Sequence, residues 1–484
     1  MKKQLCVMAA ACGLLSLASC SDDENVIIDQ PVLTEGEQVI LLDVQNTDVL
    51  ATKSRPLYST ENKGAEEVTD VALLIFKMDP ATNDGYPMTL ERVIPISRWD
   101  QLSTVYNYGR QYSYKLEGTQ KLKAGSSYTI IAVGQNETES DVIPPYKIVD
   151  STDGSSIPEL TESSWTDLNW NASAVNGDGF LKTVALGEGI RAGEIFSGTS
   201  VPVDLNISND ANDTGFTAEV LLKRQVAGVI GYFNQIPAYV NAGTDGNLAT
   251  RKVRLVASAK NTQIDLSRSL GDQSDDATGE GKTESVVNGF TPATADAKYM
   301  ASTGDDDAYI VYEIDLKDWF VPAETANGGV SPQDYWGINP VAEGTEIPTL
   351  GTNGTSWKNP LDGTNSNPRI ATNAVLAGEF VIPFEKSLEN NTFELQLIGN
   401  NGSEDVILRK WNVKLDAASK TANDADYIYN IYRNHLYQIG KRGGGDDPVD
   451  PGKDPDEPQP LDNTQDLTIK INDNWEIIHN MGID

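Results

Sequence analysis

The segment that most constrains the fold is an amphipathic strand that stands alone at the far end of the chain. From residue 467 to 477, polar side chains fill the even positions and apolar ones fill the odd positions except 473. This is the period of a strand with one apolar face. A single strand leaves its backbone groups unpaired, so it must join a sheet. Its apolar positions are Leu467, Ile469, Ile471, Trp475 and Ile477.

The stretch before this strand, residues 443–460, is rich in Gly, Asp and Pro and lacks the apolar residues that a core needs. In polyproline II form it would reach on the order of 50 Å. An acidic, Pro-rich spacer of this kind favours donation of the strand to a neighbouring copy. The alternative is that the strand folds back onto its own chain, for which a short loop would suffice.

The start of the chain predicts export. Residues 1–3 are basic and residues 5–18 are apolar, a run too short to span a membrane. The sequence Leu17-Ala18-Ser19-Cys20 resembles the lipobox of bacterial lipoproteins, which implies cleavage before Cys20 and acylation of its thiol. Acyl chains can hold a soluble domain at a membrane. The alternative is an ordinary signal peptide with a chance Cys.

Composition narrows the class of protein. A length of 484 residues allows two or three domains. The net charge of −34 repels phosphate backbones and argues against nucleic-acid binding. Because the three Cys (Cys6, Cys12 and Cys20) all lie at the start, the mature fold is expected to contain no internal disulfide.

Short β-branched and aromatic runs, separated by turn-forming residues, predict an all-β chain of sandwich domains. A dense group of turn residues at 208–214 predicts a domain boundary, and the alternative is a tight turn inside one larger domain. The long strand that follows should bend where Arg224 and Gly228 interrupt its apolar face. The candidate strands are 71–76, 128–133, 201–207, 216–232, 251–257, 309–314, 379–384, 392–398, 406–415 and 427–439.

A further amphipathic strand lies near the predicted lipid anchor. Ile40, Leu42 and Val44 form its apolar face, and a polar segment containing Lys53 and Arg55 follows. Basic residues in an exposed loop are a candidate protease site. A cut there would release the first strand together with its lipid, and the tail strand of another copy would fill the empty groove. The alternative is a plain loop.

An enzyme is not expected. The chain has two His, His435 and His479, and no H-E-x-x-H, P-loop or G-x-S-x-G motif. The acidic run at 305–307 could bind a cation, but such runs are usually only solvated. We therefore predict no catalytic residue, no metal and no cofactor.

Several of these features together resemble the fimbrillin family, specifically the major shaft subunits of type V pili of the short-fimbria type. The resemblance implies two tandem transthyretin-like β-sandwich domains plus a tethered C-terminal donor strand, a lipoprotein precursor, and assembly by strand exchange. Processing in the family follows an Arg. Here Arg55 precedes Pro56, a bond that trypsin-like enzymes cut poorly, so the cut falls at Lys53 or the protease differs. The motifs are the lipobox, Val71-Ala-Leu-Leu-Ile-Phe76, Leu222-Lys-Arg-Gln-Val-Ala-Gly-Val229, Tyr432-Arg-Asn-His-Leu-Tyr437, and the tether with Leu467-Thr-Ile-Lys-Ile-Asn472 and Trp475.

The predicted function is a structural subunit of an adhesive cell-surface fimbria. Expected partners are identical and other fimbrial subunits, outer-membrane lipid through Cys20, a maturation protease, and a host or bacterial surface ligand. Alternatives are a tip subunit, or a monomeric surface lipoprotein that binds glycan or host protein through aromatics such as Trp165 and Trp170. The predicted plan is 1–19 signal peptide, 20–55 lipidated propeptide with the first strand, 56–212 N-terminal domain, 213–440 C-terminal domain, 441–460 tether and 461–484 donor strand.

Overall fold

Strands make up almost all of the regular structure in the computed structural model of the chain. The two α-helices of the described residues are single turns, α1 (Trp99–Leu102) and α2 (Leu316–Trp319), and none of its helices is long and apolar enough to cross a membrane. The structure describes residues 36–45, 68–78, 80–81, 88–106, 109–135, 146–149, 156–157, 169–170, 182–185, 190–205, 215–261, 263–266, 309–322, 350, 355–357, 370–371, 373–384, 386, 390–420, 424–441, 457–462 and 465–472.

The strands of the first half mostly build one curled sheet. They are β1 (Gln38–Gln45), β2 (Asp70–Lys77), β3 (Met88–Ile96), β4 (Thr104–Tyr106), β5 (Gly109–Lys115), β6 (Ser127–Gln135), β7 (Tyr146–Val149), β8 (Ser156–Ile157), β9 (Asn169–Trp170), β10 (Lys182–Ala185), β11 (Arg191–Ala192), β12 (Ile195–Thr199), β13 (Val203–Asp204) and β14 (Phe216–Arg224).

The first sheet runs β4-β5-β1-β14-β12-β6-β2-β3-β9, with β13 on β6, and encloses the first core. Only the β1–β14 pair is parallel; its other described pairs are antiparallel. The most apolar strand, β2, is buried on both faces. Leu73 and Ile75 enter the first core, whereas Leu74 and Phe76 join a second, larger core. A continuous apolar run is the pattern expected of a strand buried on both sides.

The second half supplies the remaining strands. They are β15 (Ala227–Asn234), β16 (Tyr239–Asn241), β17 (Asn247–Ala257), β18 (Gln263–Asp265), β19 (Ile310–Asp315), β20 (Phe320–Pro322), β21 (Thr355–Trp357), β22 (Ala374–Val381), β23 (Phe393–Asn400), β24 (Asp405–Leu415), β25 (Leu436–Ile439), β26 (Gln459–Pro460) and β27 (Leu467–Asn472).

The second sheet runs β11-β22-β15-β25-β27-β24-β23-β17-β16, with β19 on β17 and β26 on β15. The prediction of an all-β, two-sandwich architecture is confirmed. Two strand pairings connect the halves: β11 joins the second sheet through β22, and β10 pairs with β18. The larger core is also shared, since Leu74 and Phe76 belong to the same apolar cluster as Val229 of β15.

The strand predicted at 216–232 is two strands. β14 pairs with β1 and β12 in the first sheet, and β15 pairs with β22 and β25 in the second. The chain changes sheets at Gln225, whose buried amide donates to the carbonyl oxygens of Ser197 (3.2 Å) and Lys223 (2.9 Å). The strand pairing therefore favours moving the predicted boundary at 212/213 to this residue, because β14 completes the first sheet.

Other predicted strands differ in length. Only the last part of the expected strand 427–439 is a regular strand, β25. Before it, main-chain groups of Tyr429, Asn430 and Tyr432 bond to the side-chain hydroxyls of Thr392 and Tyr437 instead of to a neighbouring strand. The expected strand 201–207 is reduced to β13 among the described residues. β3 was not predicted.

Candidate functional site

Two strands, β1 and β27, each lie inside a sheet between neighbours of opposite polarity. β1 runs parallel to β14 and antiparallel to β5. β27 runs parallel to β24 and antiparallel to β25. We call the space that β1 fills between β5 and β14 the first slot, and the space that β27 fills between β24 and β25 the second slot. In each slot the inserted strand therefore has one parallel and one antiparallel neighbour.

The first slot buries one face of β1. Ile40, Leu42 and Val44 are fully buried in the first core, while Leu41 and Asp43 between them are only half-buried. Each buried aliphatic side chain contributes about 1.5–3 kcal/mol relative to an exposed one. The three residues predicted from the sequence thus all lie against the core of the first sheet.

A polar residue extends this buried face. Gln38 is completely buried, and its amide pairs with the main chain of Leu122 in both directions. Gln38 Nε2 donates to the Leu122 carbonyl oxygen at 3.0 Å, and the Leu122 N–H donates to Gln38 Oε1 at 2.7 Å. Because a buried backbone group without a partner is costly, this two-way bond fixes where β1 begins along the slot.

Aromatic side chains of β5 and α1 form one wall of the first slot. Tyr114 lies opposite Ile40 and Tyr112 lies opposite Leu42 in the strand register. Tyr112 makes edge-to-face contacts with Tyr114 at 6.3 Å and with the buried Trp99 at 6.1 Å between ring centroids. Loss of β1 would leave these rings beside an open groove with two unpaired strand edges.

Charged contacts hold the first turn before β1 at the protein surface. Lys115 forms an ion pair with Glu37, and Lys121 Nζ donates to the Gly36 carbonyl oxygen at 3.0 Å. The hydrogen bond to Glu37 and the charge of that carboxylate raise the pKa of Lys115. Exposed ion pairs add little stability, so the apolar face and Gln38 hold the strand.

The second slot buries the tail strand in the same alternating way. Leu467 and Ile469 are fully buried, Ile471 is half-buried, and Thr468 and Lys470 are exposed. The main chain is held by loop groups as well: the Asp416 N–H donates to the Ile469 carbonyl oxygen at 2.8 Å, and the Ile471 N–H donates to Ser419 Oγ at 3.1 Å. In this structure the tail strand therefore lies in the sheet of its own chain, the alternative that the sequence left open.

Among the described residues, the tail strand is paired over a shorter length of backbone than β1. β27 is paired with β24 over Val413–Leu415 and with β25 over Leu436–Ile439. β1 is paired with β14 over Phe216–Leu222 and with β5 over Gly109–Lys115. The described part of the first slot therefore has more ladder positions than the described part of the second.

The two ends of the predicted tether lie next to each other in the structure. The Lys441 N–H donates to the Glu457 carbonyl oxygen at 2.9 Å, and the Glu457 N–H donates to that of Lys441 at 2.7 Å. Beyond this bridge, β26 pairs with β15, and the buried Leu461 donates its N–H to the Asn234 carbonyl oxygen at 3.0 Å. The returning chain is thus anchored beside β15 before it enters the second slot.

The remaining predicted site residues lie outside the described residues. They are Cys20, Lys53, Arg55, Trp475 and Ile477. The same is true of the acidic run at 305–307, of His479 and of Trp165, whereas Trp170 is described as a backbone position in β9. Within the described ranges, no group of three or more His, Cys, Asp and Glu side chains could hold a metal ion.

The side chain of His435 contacts residues close to it in the chain. Its Nδ1 lies 2.7 Å from the Arg433 carbonyl oxygen, and its ring is 5.5 Å from that of Tyr432. The nearby Arg433 is itself buried and donates to Gln225 Oε1 at 2.8 Å, where the chain changes sheets. These contacts fit a role in holding the junction of the two sheets.

Sequence reasoning missed Gln38 and the aromatic wall of Trp99, Tyr112 and Tyr114. A signal for Gln38 existed, since it lies two residues before Ile40 and therefore on the apolar face of the strand. The aromatic wall had no such signal, because the pairing that places β5 beside β1 spans a long stretch of chain.

Searches with the sequence found no matching family model and no matching curated protein. Solved structures do resemble the chain. The fimbrial anchor protein Mfa2 from Porphyromonas gingivalis has a TM-score of 0.29 at 10% identity, covering 83% of this chain and 90% of that one. A fimbrial assembly protein from Parabacteroides distasonis has a TM-score of 0.30 at 12% identity, covering 84% and 93%.

A third solved structure, an adhesin candidate from Bacteroides thetaiotaomicron, has a TM-score of 0.31 at 9% identity and covers 91% of this chain and 98% of that one. These three structures are described as a fimbrial anchor protein, a fimbrial assembly protein and an adhesin candidate.

Proposed function

We propose that this chain is a structural subunit of an adhesive cell-surface fimbria and that it polymerises by strand exchange. Cys20 carries lipid that holds the precursor at the outer membrane. A protease cuts near Lys53 or Arg55 and releases β1 with the lipid. The tail strand of another copy then enters the first slot, with Leu467, Ile469, Ile471, Trp475 and Ile477 on its apolar face.

The observation that carries this proposal is that each slot holds a single amphipathic strand between two neighbours inside a sheet. A strand that already lies between one parallel and one antiparallel neighbour in the second slot meets the same arrangement in the first. Both inserted strands also bury alternate aliphatic side chains. Strand addition of this kind takes affinity from main-chain hydrogen bonds and specificity from alternate side chains.

The lengths of the slots supply a direction for the exchange. While β1 is present, its longer pairing excludes any competitor from the first slot. Once β1 is gone, a tail that moves there can use the seven register positions that β1 had on each side, against three and four in its described pairing in the second slot. Proteolysis therefore triggers assembly, and the intact precursor keeps both slots filled.

The test is a reversible lock on the tail. Gln438 and Lys470 lie opposite each other across β25 and β27, and the chain from Ser21 onward contains no other Cys. Changing both residues to Cys allows a disulfide that holds the tail in its own sheet. After limited trypsin treatment, with loss of β1 verified by mass spectrometry, samples are run unboiled with and without reductant. The single variants Gln438→Cys and Lys470→Cys are the matched controls.

We expect detergent-resistant ladders from the reduced double variant and from both controls, and monomers from the oxidised double variant. Ladders from the oxidised form would show that assembly does not need the tail. Monomers in every sample, with β1 verifiably removed, would overturn polymerisation. They would support a monomeric surface lipoprotein, the function favoured by the position of β27 in its own sheet.

A further inference from the structure

We infer that Gln465 sets the register of the donated tail by taking the place of Gln38 against the main chain of Leu122 in a second copy of this chain. The inference rests on the proposed strand exchange and specifies how the two copies align. In this register, Leu467 replaces Ile40, Ile469 replaces Leu42, and Ile471 replaces Val44.

The two strands carry the same pattern on the face that points into the sheet's core. β1 reads Gln-Val-Ile-Leu-Leu-Asp-Val-Gln from residue 38 to 45, and the tail reads Gln-Asp-Leu-Thr-Ile-Lys-Ile-Asn from 465 to 472. Both have a Gln, then three aliphatic residues at alternate positions, and then a side-chain amide. Residues that alternate along a strand face one side, so Gln465 shares its face with Leu467.

The environments of the two Gln residues differ sharply. Gln38 is fully buried and bonded in both directions to Leu122, at 3.0 Å and 2.7 Å. Gln465 is exposed at the protein surface, just before the first residue of β27. The second slot therefore leaves Gln465 exposed, whereas the first slot has a buried position of the size and polarity of its amide.

The next register toward the end of the tail leaves the Leu122 position unsatisfied. A shift of the tail by two residues keeps the aliphatic face inward but puts Leu467 where Gln38 lies. Leu122 is itself buried, so its N–H and carbonyl oxygen would then have no partner and no access to water. A carboxylate at this position would accept from the N–H but could not donate to the carbonyl oxygen. A side-chain amide satisfies both groups, because its nitrogen donates and its oxygen accepts.

The other Gln of the tail segment does not fit. Gln459 is followed by Pro460 and Leu461, and then by Asn463 where the next aliphatic residue should be. Proline cannot donate to a ladder, and the alternation ends after one apolar residue. The pattern therefore selects Gln465, and Gln459 serves as a control of the same residue type.

Crosslinking between two differently tagged chains tests the register. In the inferred register, Thr468 takes the place of Leu41, which lies opposite Ser113 of β5. One chain, treated with trypsin to remove β1, carries Ser113→Cys. The other carries either Thr468→Cys or Lys470→Cys, and both chains start at Ser21. Both tail positions are exposed, and mixing two chains makes every link between them intermolecular.

We expect the Thr468→Cys chain to give at least about tenfold more mixed covalent dimer than the Lys470→Cys chain, because two buried groups of Leu122 depend on the register. Adding Gln465→Ala should reduce that ratio by about tenfold, and adding Gln459→Ala should leave it unchanged. An unchanged ratio with Gln465→Ala, or equal dimer from both tail positions at the start, would overturn the inference while leaving strand exchange in place. The absence of mixed dimer from both tail positions would overturn the exchange itself.

Discussion

The Arg224 guanidinium and the Glu194 carboxylate form a buried ion pair, with Nε and Oε1 2.6 Å apart and side-chain exposures of only 4% and 2%. The guanidinium also lies over the ring of Phe196, 5.1 Å from its centroid. The pair is located where the chain leaves the first sheet. Arg224 interrupts the apolar pattern in the sequence. Its positive charge is neutralised by the carboxylate of Glu194, the residue directly before β12.

Removing one member of this pair should be strongly destabilising. We expect Glu194→Ala to lower the free energy of unfolding by about 3–5 kcal/mol, because it leaves a buried charge unpaired. The double change Glu194→Leu with Arg224→Met should recover most of that loss. Urea unfolding measures both. A cost below about 1 kcal/mol for Glu194→Ala would mean that the pair is not buried in solution.

A second ion-pair group gives a prediction about pH. Glu313 lies on β19 beside Lys252 (2.9 Å) and Arg254 of β17. Burial alone would raise the pKa of Glu313, but the hydrogen bonds and charges of these two bases outweigh it and hold the pKa below its usual 4.5. Asp405 contacts Lys252 at 3.3 Å, and its pKa is also lowered: burial opposes this shift, and the bonds of Asn400 and Lys252 outweigh burial.

A lowered folded-state pKa stabilises the protein above the unfolded pKa, and the contribution is lost as pH falls through the folded value. The native chain should therefore be more stable than Glu313→Gln above pH 4.5, by an amount that does not change with pH. This difference in the free energy of unfolding should shrink as the solution is acidified below pH 4.5. Urea unfolding at several pH values measures this difference. Glu404→Gln, at an exposed site in the turn between β23 and β24, is the control. A difference independent of pH would contradict the assignment.

The amide of Gln38 should be important for stability even though the residue is polar. We expect Gln38→Ala to cost about 2–3 kcal/mol, since it leaves the buried N–H and carbonyl oxygen of Leu122 without partners. Gln101→Ala, at an exposed position on α1, should change stability by less than about 0.5 kcal/mol. Equal effects of the two substitutions in a thermal or urea unfolding experiment would show that the Leu122 bonds are not maintained.

The tail strand should stabilise the chain that carries it. We expect Ile469→Ala to lower the free energy of unfolding of the monomer by about 2–5 kcal/mol, the usual cost of truncating a fully buried Ile. Thr468→Ala, one residue away on the exposed face, should be near neutral. Matching values for the two variants would indicate that the second slot is empty in the monomer.

The local character of the strands was predictable from the sequence. The continuous apolar run at 71–76 identified β2, and the period-2 pattern identified the buried faces of β1 and β27, because such patterns are set by the strand itself. The interruption of the apolar face at Arg224 and Gly228 predicted a bend where β14 ends and β15 begins. That the two pieces belong to different sheets was not predictable, since only pairing with distant β1, β12 and β22 separates them.

The alternation of side chains in the tail strand does not determine which sheet the strand joins. An apolar face shows that the strand must pair with a sheet, but it does not show whether that sheet belongs to the same chain or to another copy. The side-chain period therefore fits either slot. The Gln38–Leu122 contact was missed for a related reason. Its geometry depends on a backbone position 84 residues further along the chain, although the Gln itself lies on the predicted face.

The pairing of β11 with β22 has a mechanical consequence. A segment from the first half of the chain is part of the second sheet, and one apolar core continues across both halves. Under tension the two halves should therefore yield together as one unit. In a fibre of such units, bending would occur at the joints where one copy holds the next, and the stiffness of the fibre would be decided there.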